Sequence, residues 1–588
     1  MVTKKALPRI PISEYLSLFR SYLKPQRKRM TVLSALLLSG IALQLVNPQI
    51  IRYFIDSAQS LQSGTPLIWA AILFIGVSFV QQLVSVSASY LGANVGWMAT
   101  NQLRSDVAAH CLKLDMAFHK TQTSGSIIER VDGDINNLSN FFSQFAIMLV
   151  SNVLLVAGML VLLFREGWLI GSGMLLFVVF ALMAIRYIRR FAVPHWSKVR
   201  EVSAKFYGFL GEHLEGTEDT RASGATGYVM HRFFTLMREW LPLRVRAFYG
   251  WASMWITTIV VFTIGNAVAF AVSYYLWKEG AISLGTVYMI FYYTELMAKP
   301  IEQIRTQMED LQKADASIGR VRELLQTESS IQDGAGDPLP SGPLAVALER
   351  VTFSYEGERT TLSDVDFRLE PGQVLGLLGR TGSGKTTLAR LLLRFYDPDE
   401  GRVALSGVDI RRTKLQELRS RVGLVTQTIE LFQGTIRDNL TFFDEEADDE
   451  RIIQVLGELG MGEWLHSLPL GLDTRLESGG GGLSAGEAQL LSFARVFLTD
   501  PGLVILDEAS SRLDPATEQR IEQAMNKLLQ GRTCIIIAHR LATIERADRI
   551  LVLEQGRIVE EGERARLAAD PESRYSRMLR TGMEELLA

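Results

Sequence analysis

The stretch that decides the fold is Gly379-Arg380-Thr381-Gly382-Ser383-Gly384-Lys385-Thr386. It matches G-x-x-x-x-G-K-[ST], and its flanks supply the context that this pattern needs. The apolar run Val374-Leu375-Gly376-Leu377-Leu378 precedes it and reads as a buried strand. Thr387-Leu388-Ala389-Arg390 follows and opens a helix. Gly379, Gly382 and Gly384 let backbone N–H groups wrap the β-phosphate of a nucleotide, and the helix N-terminus adds its dipole. Arg380, Thr381, Ser383 and Thr387 belong to the same wrap. Lys385 is placed to reach the β/γ-phosphates, and the Thr386 hydroxyl to coordinate Mg²⁺. A glycine-rich turn of no function is the bland alternative, and the full pattern in its strand–helix context argues against it.

Two further apolar runs lie downstream. Leu503-Val504-Ile505-Leu506 ends in Asp507-Glu508, and Cys534-Ile535-Ile536-Ile537 is followed closely by His539. Short apolar runs flanked by Gly, Pro or polar residues are how buried parallel strands read. At a strand's carboxyl end Asp507 can face Mg²⁺ through water, and Glu508 can polarise an attacking water. A solvated strand end would explain Asp-Glu alone, but the phosphate loop makes the pair informative. His539 at the same sheet edge reads as a γ-phosphate sensor rather than a structural histidine.

Upstream, Gln326 to Pro343 is rich in Gly, Pro, Ser and Asp and reads as a linker. Before it the chain is dominated by uncharged stretches: Thr31–Ile51, Ser57–Leu103, Phe145–Phe164, Trp168–Ile185 and Phe248–Trp277. Each holds the roughly 20 apolar residues that one membrane-spanning helix requires. A sixth, Ala281–Thr294, has 14 residues. At about 1.5 Å per residue it covers about 21 Å of a roughly 30 Å hydrocarbon core. It spans only if the helix continues through Glu295. Spans two to five are expected to run well beyond the bilayer, and Ile12 to Leu23 reads as an amphipathic surface helix. The N-terminus lacks the pattern of a cleaved signal. Lys and Arg cluster before the first span and in the connections from Arg104 to Arg130 and from Arg186 to Arg246. That distribution predicts cytosolic termini.

Composition agrees. Across 588 residues the formal net charge is −3, which gives no electrostatic footing for nucleic acid. Mean hydropathy is +0.14, high for a soluble enzyme of this length. Two cysteines, Cys111 and Cys534, exclude a disulfide scaffold and a four-cysteine zinc site.

Leu483-Ser484-Ala485-Gly486-Glu487, 23 residues before Asp507 counting from Ser484, resembles the LSGGQ signature of ATP-binding cassette proteins. With Tyr355, Gln427, Ser511-Arg512-Leu513-Asp514 and His539 the ordered set is complete. The chain resembles an ATP-binding cassette (ABC) exporter half-transporter over nearly its full length. The resemblance implies an α-helical membrane domain of six transmembrane helices, residues 1–325, with an N-terminal elbow helix and two cytosolic coupling loops. A linker at 326–343 and an α/β P-loop NTPase domain of ABC type at 344–588 follow. It implies ATP and Mg²⁺ as cofactors, and two cassettes sandwiching two ATPs head to tail. Tyr355 would stack on adenine, and Gln427 would touch Mg²⁺ and the transmembrane interface. Ser484 and Gly486, with Glu487 beside them, would meet the γ-phosphate held by the opposite subunit. Leu114–Gly125 and Leu210–Gly224 occupy the places of the two coupling helices.

Two departures from the family pattern stand out. The signature reads LSAGE, so Ala485 adds a Cβ near phosphate and Glu487 puts a carboxylate near a helix start. Before it, Glu477-Ser478-Gly479-Gly480-Gly481-Gly482 replaces a Gly-Glu-Arg-Gly pattern, and four consecutive glycines predict a very flexible loop. Glu508 and His539 with an altered signature fit one half of a heterodimer. Retention of the phosphate-touching residues favours a homodimer. The expected function is ATP-driven export or flipping of an amphipathic small molecule, lipid or peptide across the plasma (inner) membrane. An ATP-gated regulator or an importer on the same fold are the alternatives. Glu295 is either a cavity-lining acid for a cationic or polar group, or the partner of Lys299 in an i,i+4 pair.

Overall fold

The structure is a computed structural model that describes residues 21–60, 64–140, 146–355, 359–444, 447–477, 479–507, 515–537 and 541–581. The chain divides into two compact units. One comprises residues 1–112 and 124–327, the other residues 113–123 and 328–588.

The first unit is helical. Its long helices are Arg27–Gln59, Gly64–Lys113, Ala146–Glu166, Trp168–Glu215, Thr226–Lys278 and Leu284–Gln326. Five apolar segments are long enough to cross a membrane: Ser21–Gln59, Gly64–Lys113, Met148–Glu166, Trp168–Ile188 and Thr226–Lys278. The expected extension past the bilayer is clear in the 50-, 48- and 53-residue helices starting at Gly64, Trp168 and Thr226. The last of these is about 80 Å long, against a hydrocarbon core of about 30 Å. For the third span the described helix runs Ala146–Glu166, and residues 141–145 lie outside the described residues. The surface helix expected at Ile12 to Leu23 lies almost wholly outside them as well. Leu284–Gln326 is one continuous helix of 43 residues through Glu295, but among the described residues it is not one of the helices apolar enough to cross a membrane.

Large apolar side chains on these helices, such as Trp69, Ile75, Phe79 and Val86, are exposed, as lipid-facing residues are. The buried ones concentrate where four helices meet, with Met159, Leu163, Met174, Phe262, Met289, Tyr293 and Met297 at the centre. Without a hydrophobic force between helices in lipid, polar ties matter. Asn47 Nδ2 donates to Gln81 Oε1 at 2.7 Å, and Tyr293 Oη to the Leu45 carbonyl at 2.8 Å. Asp134 is fully buried. It accepts from Arg320 Nε at 2.8 Å and Ser317 Oγ at 2.9 Å, which ties its segment to the Leu284–Gln326 helix.

The second unit is an α/β domain. Its strands are β1 Val346–Ser354, β2 Thr360–Leu369, β3 Val374–Leu378, β4 Glu400–Leu405, β5 Val408–Asp409, β6 Val422–Val425, β7 Gly434–Thr435, β8 Arg475–Leu476, β9 Leu503–Asp507, β10 Thr533–Ile537, β11 Arg549–Glu554 and β12 Arg557–Glu563. An antiparallel sheet has the order β2-β1-β4-β5, and a six-stranded sheet the order β12-β11-β3-β10-β9-β6. In the latter β11, β3, β10, β9 and β6 are all parallel, and only β12 is antiparallel. The three apolar runs singled out in the sequence are its buried central strands. Their side chains alternate between two cores, with Leu375, Ile505 and Ile535 in one and Val504, Leu506 and Ile536 in the other.

Residues 327–345 carry no helix or strand. From residue 328 on they are nonetheless fastened to the α/β domain. Leu415 N donates to Asp333 Oδ1 at 2.7 Å, and Leu339 N to Glu417 Oε1 at 2.9 Å. Arg421 donates to the carbonyls of Pro340 and Gly342.

Candidate functional site

Parallel strands bring their carboxyl ends to one edge. In register, Ile537 of β10 faces Leu377 of β3 on one side and Asp507 of β9 on the other. The glycine-rich loop leaves β3, Asp507 ends β9, and exposed Gln427 stands two residues past the end of β6. Glu508, His539 and Ser511–Asp514 lie outside the described residues. The strands that lead to the first two end at Asp507 and Ile537.

The loop is a cradle closed by its own backbone. Gly384 is left-handed (φ +109°), and a Cβ there would meet Leu362 Cδ2 at 2.6 Å. Gly379 passes so close to β11 that a Cβ would lie 2.3 Å from the Leu553 carbonyl oxygen. Lys385 starts the Lys385–Leu392 helix, is buried, and donates to the carbonyls of Gly379 at 2.6 Å and Arg380 at 3.1 Å. A lysine held by carbonyls of a phosphate-type loop is a cation stored where an anion belongs. Among the described residues the buried Ser383 hydroxyl in the same loop has no hydrogen-bond partner. Unpaired buried hydroxyls are costly, so it is a donor waiting for an acceptor. Thr386 Oγ1 donates to Asp507 Oδ2 at 3.5 Å. A hydroxyl and a carboxylate so placed are hard oxygen donors of the kind Mg²⁺ takes.

Tyr355 follows β1, and its position is set from several sides. Phe353 and Tyr396 meet its ring edge-to-face at 4.9 and 5.1 Å. Its hydroxyl lies 3.1 Å from Thr387 Oγ1 and accepts from Arg390 at 3.2 Å. Lys120 Nζ sits over the ring, 3.8 Å from the centroid. Lys120 belongs to the short helix Met116–Thr121, inside the stretch that resembles the first coupling helix. Asp115 caps that helix by accepting from Phe118 N at 3.0 Å. The same carboxylate accepts from Ser330 N at 2.6 Å and Ser330 Oγ at 2.7 Å. Partial burial pushes the Asp115 carboxyl up, but the bonds from Phe118, Ser330 and Ser329 outweigh it and hold it below its ordinary range. The Lys120–Tyr355 contact is invisible in sequence, because no local pattern joins residues so far apart. Residues Leu210–Gly224, compared with the second coupling helix, hold the end of the Trp168–Glu215 helix and the helix Thr217–Ala222.

The signature segment forms an N-terminal cap. Ser484 precedes the helix Ala485–Thr499 and accepts from Glu487 N at 3.2 Å. Glu487 Oε2 accepts in turn from Ser484 N at 2.7 Å and Ser484 Oγ at 2.8 Å. This reciprocal pair is a capping box. Glu487 thus takes up both donors of the serine expected to meet phosphate. Gly486 is buried, and a Cβ there would fall 2.0 Å from Thr517 Cγ2. Its glycine is therefore required by packing within this chain.

The glycine run before it takes a hydrogen-bonded turn. Gly479, Gly480 and Gly482 take left-handed φ values of +77°, +78° and +94°. Gly479 N donates to the Leu431 carbonyl at 3.0 Å, Gly480 N to Glu477 O at 3.0 Å, and Leu483 N to Gly480 O at 3.1 Å. Glycine serves here to reach a defined turn that L side chains rarely adopt. Ser478 lies outside the described residues.

Glu295 is exposed, and Asn266 Nδ2 donates to its Oε1 at 2.5 Å. Among the described residues it forms no ion pair, so the i,i+4 pair with Lys299 is not made.

Comparisons with known proteins agree with this architecture. The ABC transporter family matches residues 362–511, and the ABC transporter transmembrane region matches residues 30–301. An uncharacterized ABC transporter ATP-binding protein of Bacillus subtilis, YknV, is 32% identical over 93% of this chain and 91% of its own. A fatty acid ABC transporter ATP-binding/permease protein of Mycobacterium bovis is 34% identical over 80% of this chain and 74% of its own. The solved structure of a bacterial Atm1-family ABC exporter with ATP bound superposes with a TM-score of 0.78. It is 25% identical and covers 94% of this chain and 98% of its own. The chain belongs to the ABC transporter family, as an exporter with its transmembrane region and ATPase fused in one polypeptide. It is a membrane protein that binds ATP and couples its hydrolysis to transport.

Proposed function

We propose that this chain works as a homodimer that exports or flips an amphipathic small molecule, lipid or peptide across the plasma membrane, with both termini and the nucleotide-binding domain in the cytosol. The domain limits that go with this reading are 1–325, 326–343 and 344–588. The observation that carries it is the sheet edge where Lys385, Thr386, Asp507 and the unpartnered Ser383 hydroxyl converge. Lys385 leaves the loop carbonyls for the β/γ-phosphates, and Ser383 finds its acceptor there. Tyr355, fixed by Phe353, Tyr396 and Thr387, offers a ring to adenine. Glu508 polarises the attacking water and His539 senses the γ-phosphate. Thr386, Gln427 and Asp507 would hold Mg²⁺, which when bound neutralises charge on the phosphate oxygens. Ser484, Gly486 and Glu487 face the nucleotide of the second subunit.

One observation favours a heterodimer. Glu487 occupies the donors of Ser484, so the signature of a partner with a neutral amide there would serve this chain's own nucleotide better. ATP turnover of the chain purified alone in lipid nanodiscs, beside Glu508→Gln, separates the two. Turnover that Glu508→Gln abolishes while ATP still binds is the homodimer result. A well-folded sample that binds ATP and never turns it over rejects the homodimer, and Glu508→Gln with parental turnover rejects the catalytic assignment.

A further inference from the structure

The Leu284–Gln326 helix has two faces. Met289, Ile290, Tyr293, Thr294, Met297 and Ile301 are buried, whereas Leu284, Tyr288, Glu295, Lys299 and Glu302 are exposed along one stripe. Glu295 lies about three turns into this helix. That places it in the apolar first part of the helix, the segment read as the sixth span. An ionisable side chain turned to lipid in a spanning helix is costly, and such residues face a polar interior instead.

Glu295 is poorly neutralised. Its one hydrogen bond comes from Asn266, and among the described residues no cation pairs with it. Lys299, one turn away, makes no ion pair with it. One turn in the other direction the surroundings become aromatic. Phe291, four residues before Glu295, stacks on Phe270, four residues after Asn266, with centroids 4.8 Å apart. Tyr288 adjoins Tyr292 at 6.2 Å and Phe291 at 6.5 Å. The two helices thus present a carboxylate held by an amide, and one turn away along them a cluster of four aromatic rings.

We propose that this is a binding site for a lipophilic organic cation, an ammonium or phosphonium carrying aromatic or alkyl groups. The charge meets Glu295, and the apolar body lies on Phe270, Phe291 and Tyr292. Aromatic faces attract cations, and the carboxylate supplies the counter-charge. A fatty acid or another anionic head would be repelled from the same place. The site names the substrate class of the exporter read above and rests on that reading.

The test is equilibrium binding of radiolabelled tetraphenylphosphonium to the full chain in phosphatidylcholine nanodiscs, without nucleotide. Tetraphenylborate, of the same shape and opposite charge, is the competitor. Saturable cation binding, poor competition by the borate, and a loss of about tenfold or more in Glu295→Gln are expected. Phe291→Leu keeps the charge and should lose about three- to tenfold. Lys278→Gln, beyond the span, should change nothing. ATP binding at the phosphate loop reports that each variant is folded, and Phe291→Leu decides if Glu295→Gln is not. No saturable cation binding by an ATP-binding sample, equal competition by the borate, or unchanged binding in a folded Glu295→Gln overturns the proposal. Failure of ATP turnover with cation binding intact would instead strike the transport reading.

Discussion

A single side chain sets the sharpest question. Glu487 stands where the family signature has a neutral amide, and it closes a capping box with Ser484. The arrangement stabilises its helix by about 1 kcal/mol, but it spends the serine's donors and leaves a carboxylate beside the serine proposed to meet phosphate. Glu487→Gln keeps the cap geometry and removes the charge. We expect ATP turnover to rise about two- to fivefold, the scale of an exposed charge–charge term, with Tm within about 2 °C. Unchanged or lower turnover would mean that Glu487 does not oppose phosphate. The S-x-x-E spacing of a capping box was readable in the sequence. Which acceptor the serine would choose was not, because that depends on the rotamer of a charged side chain.

Elements are pinned by a few polar ties, and the clearest is Asp134. Its side chain has no exposure, and it is held by Arg320 and Ser317 of the Leu284–Gln326 helix. A buried carboxylate stripped of its cation costs about 3–5 kcal/mol. Arg320 is 41% exposed, which places the expected loss for Arg320→Met at about 3 kcal/mol. A thermal melt in detergent should show a clear drop in Tm, and the double variant Asp134→Leu/Arg320→Met should recover part of it. A melt that matches the parent would show the tie to be idle. The spans themselves were largely legible, since uncharged stretches mark them, but the helices run far past those stretches, as from Trp168 to Glu215 and from Thr226 to Lys278. The conformation of the four-glycine run was not. Glycine permits many backbone states, and hydrogen bonds to Leu431 and Glu477 select one.

Taken whole, the chain is an ABC exporter with its transmembrane region and ATPase in one polypeptide. For a homodimer with two interdependent sites, mixing wild type with equal Lys385→Ala should lower turnover to about one quarter of wild type, the share of unmixed wild-type pairs under isologous association. A fall to about one half would mean that each site works alone. Much of the molecule could be read from residues near one another in sequence. The phosphate loop, the strand ending in Asp507, the signature segment and the charge-free spans are short patterns whose physics is local: glycine backbones, helix N-termini and hydrophobic length. Only the tertiary structure brought Lys120 over Tyr355, Arg320 to Asp134, Asn266 to Glu295 and Phe270 onto Phe291. Those contacts join side chains distant in sequence, and their geometry comes from how helices and strands pack, which no local spacing encodes.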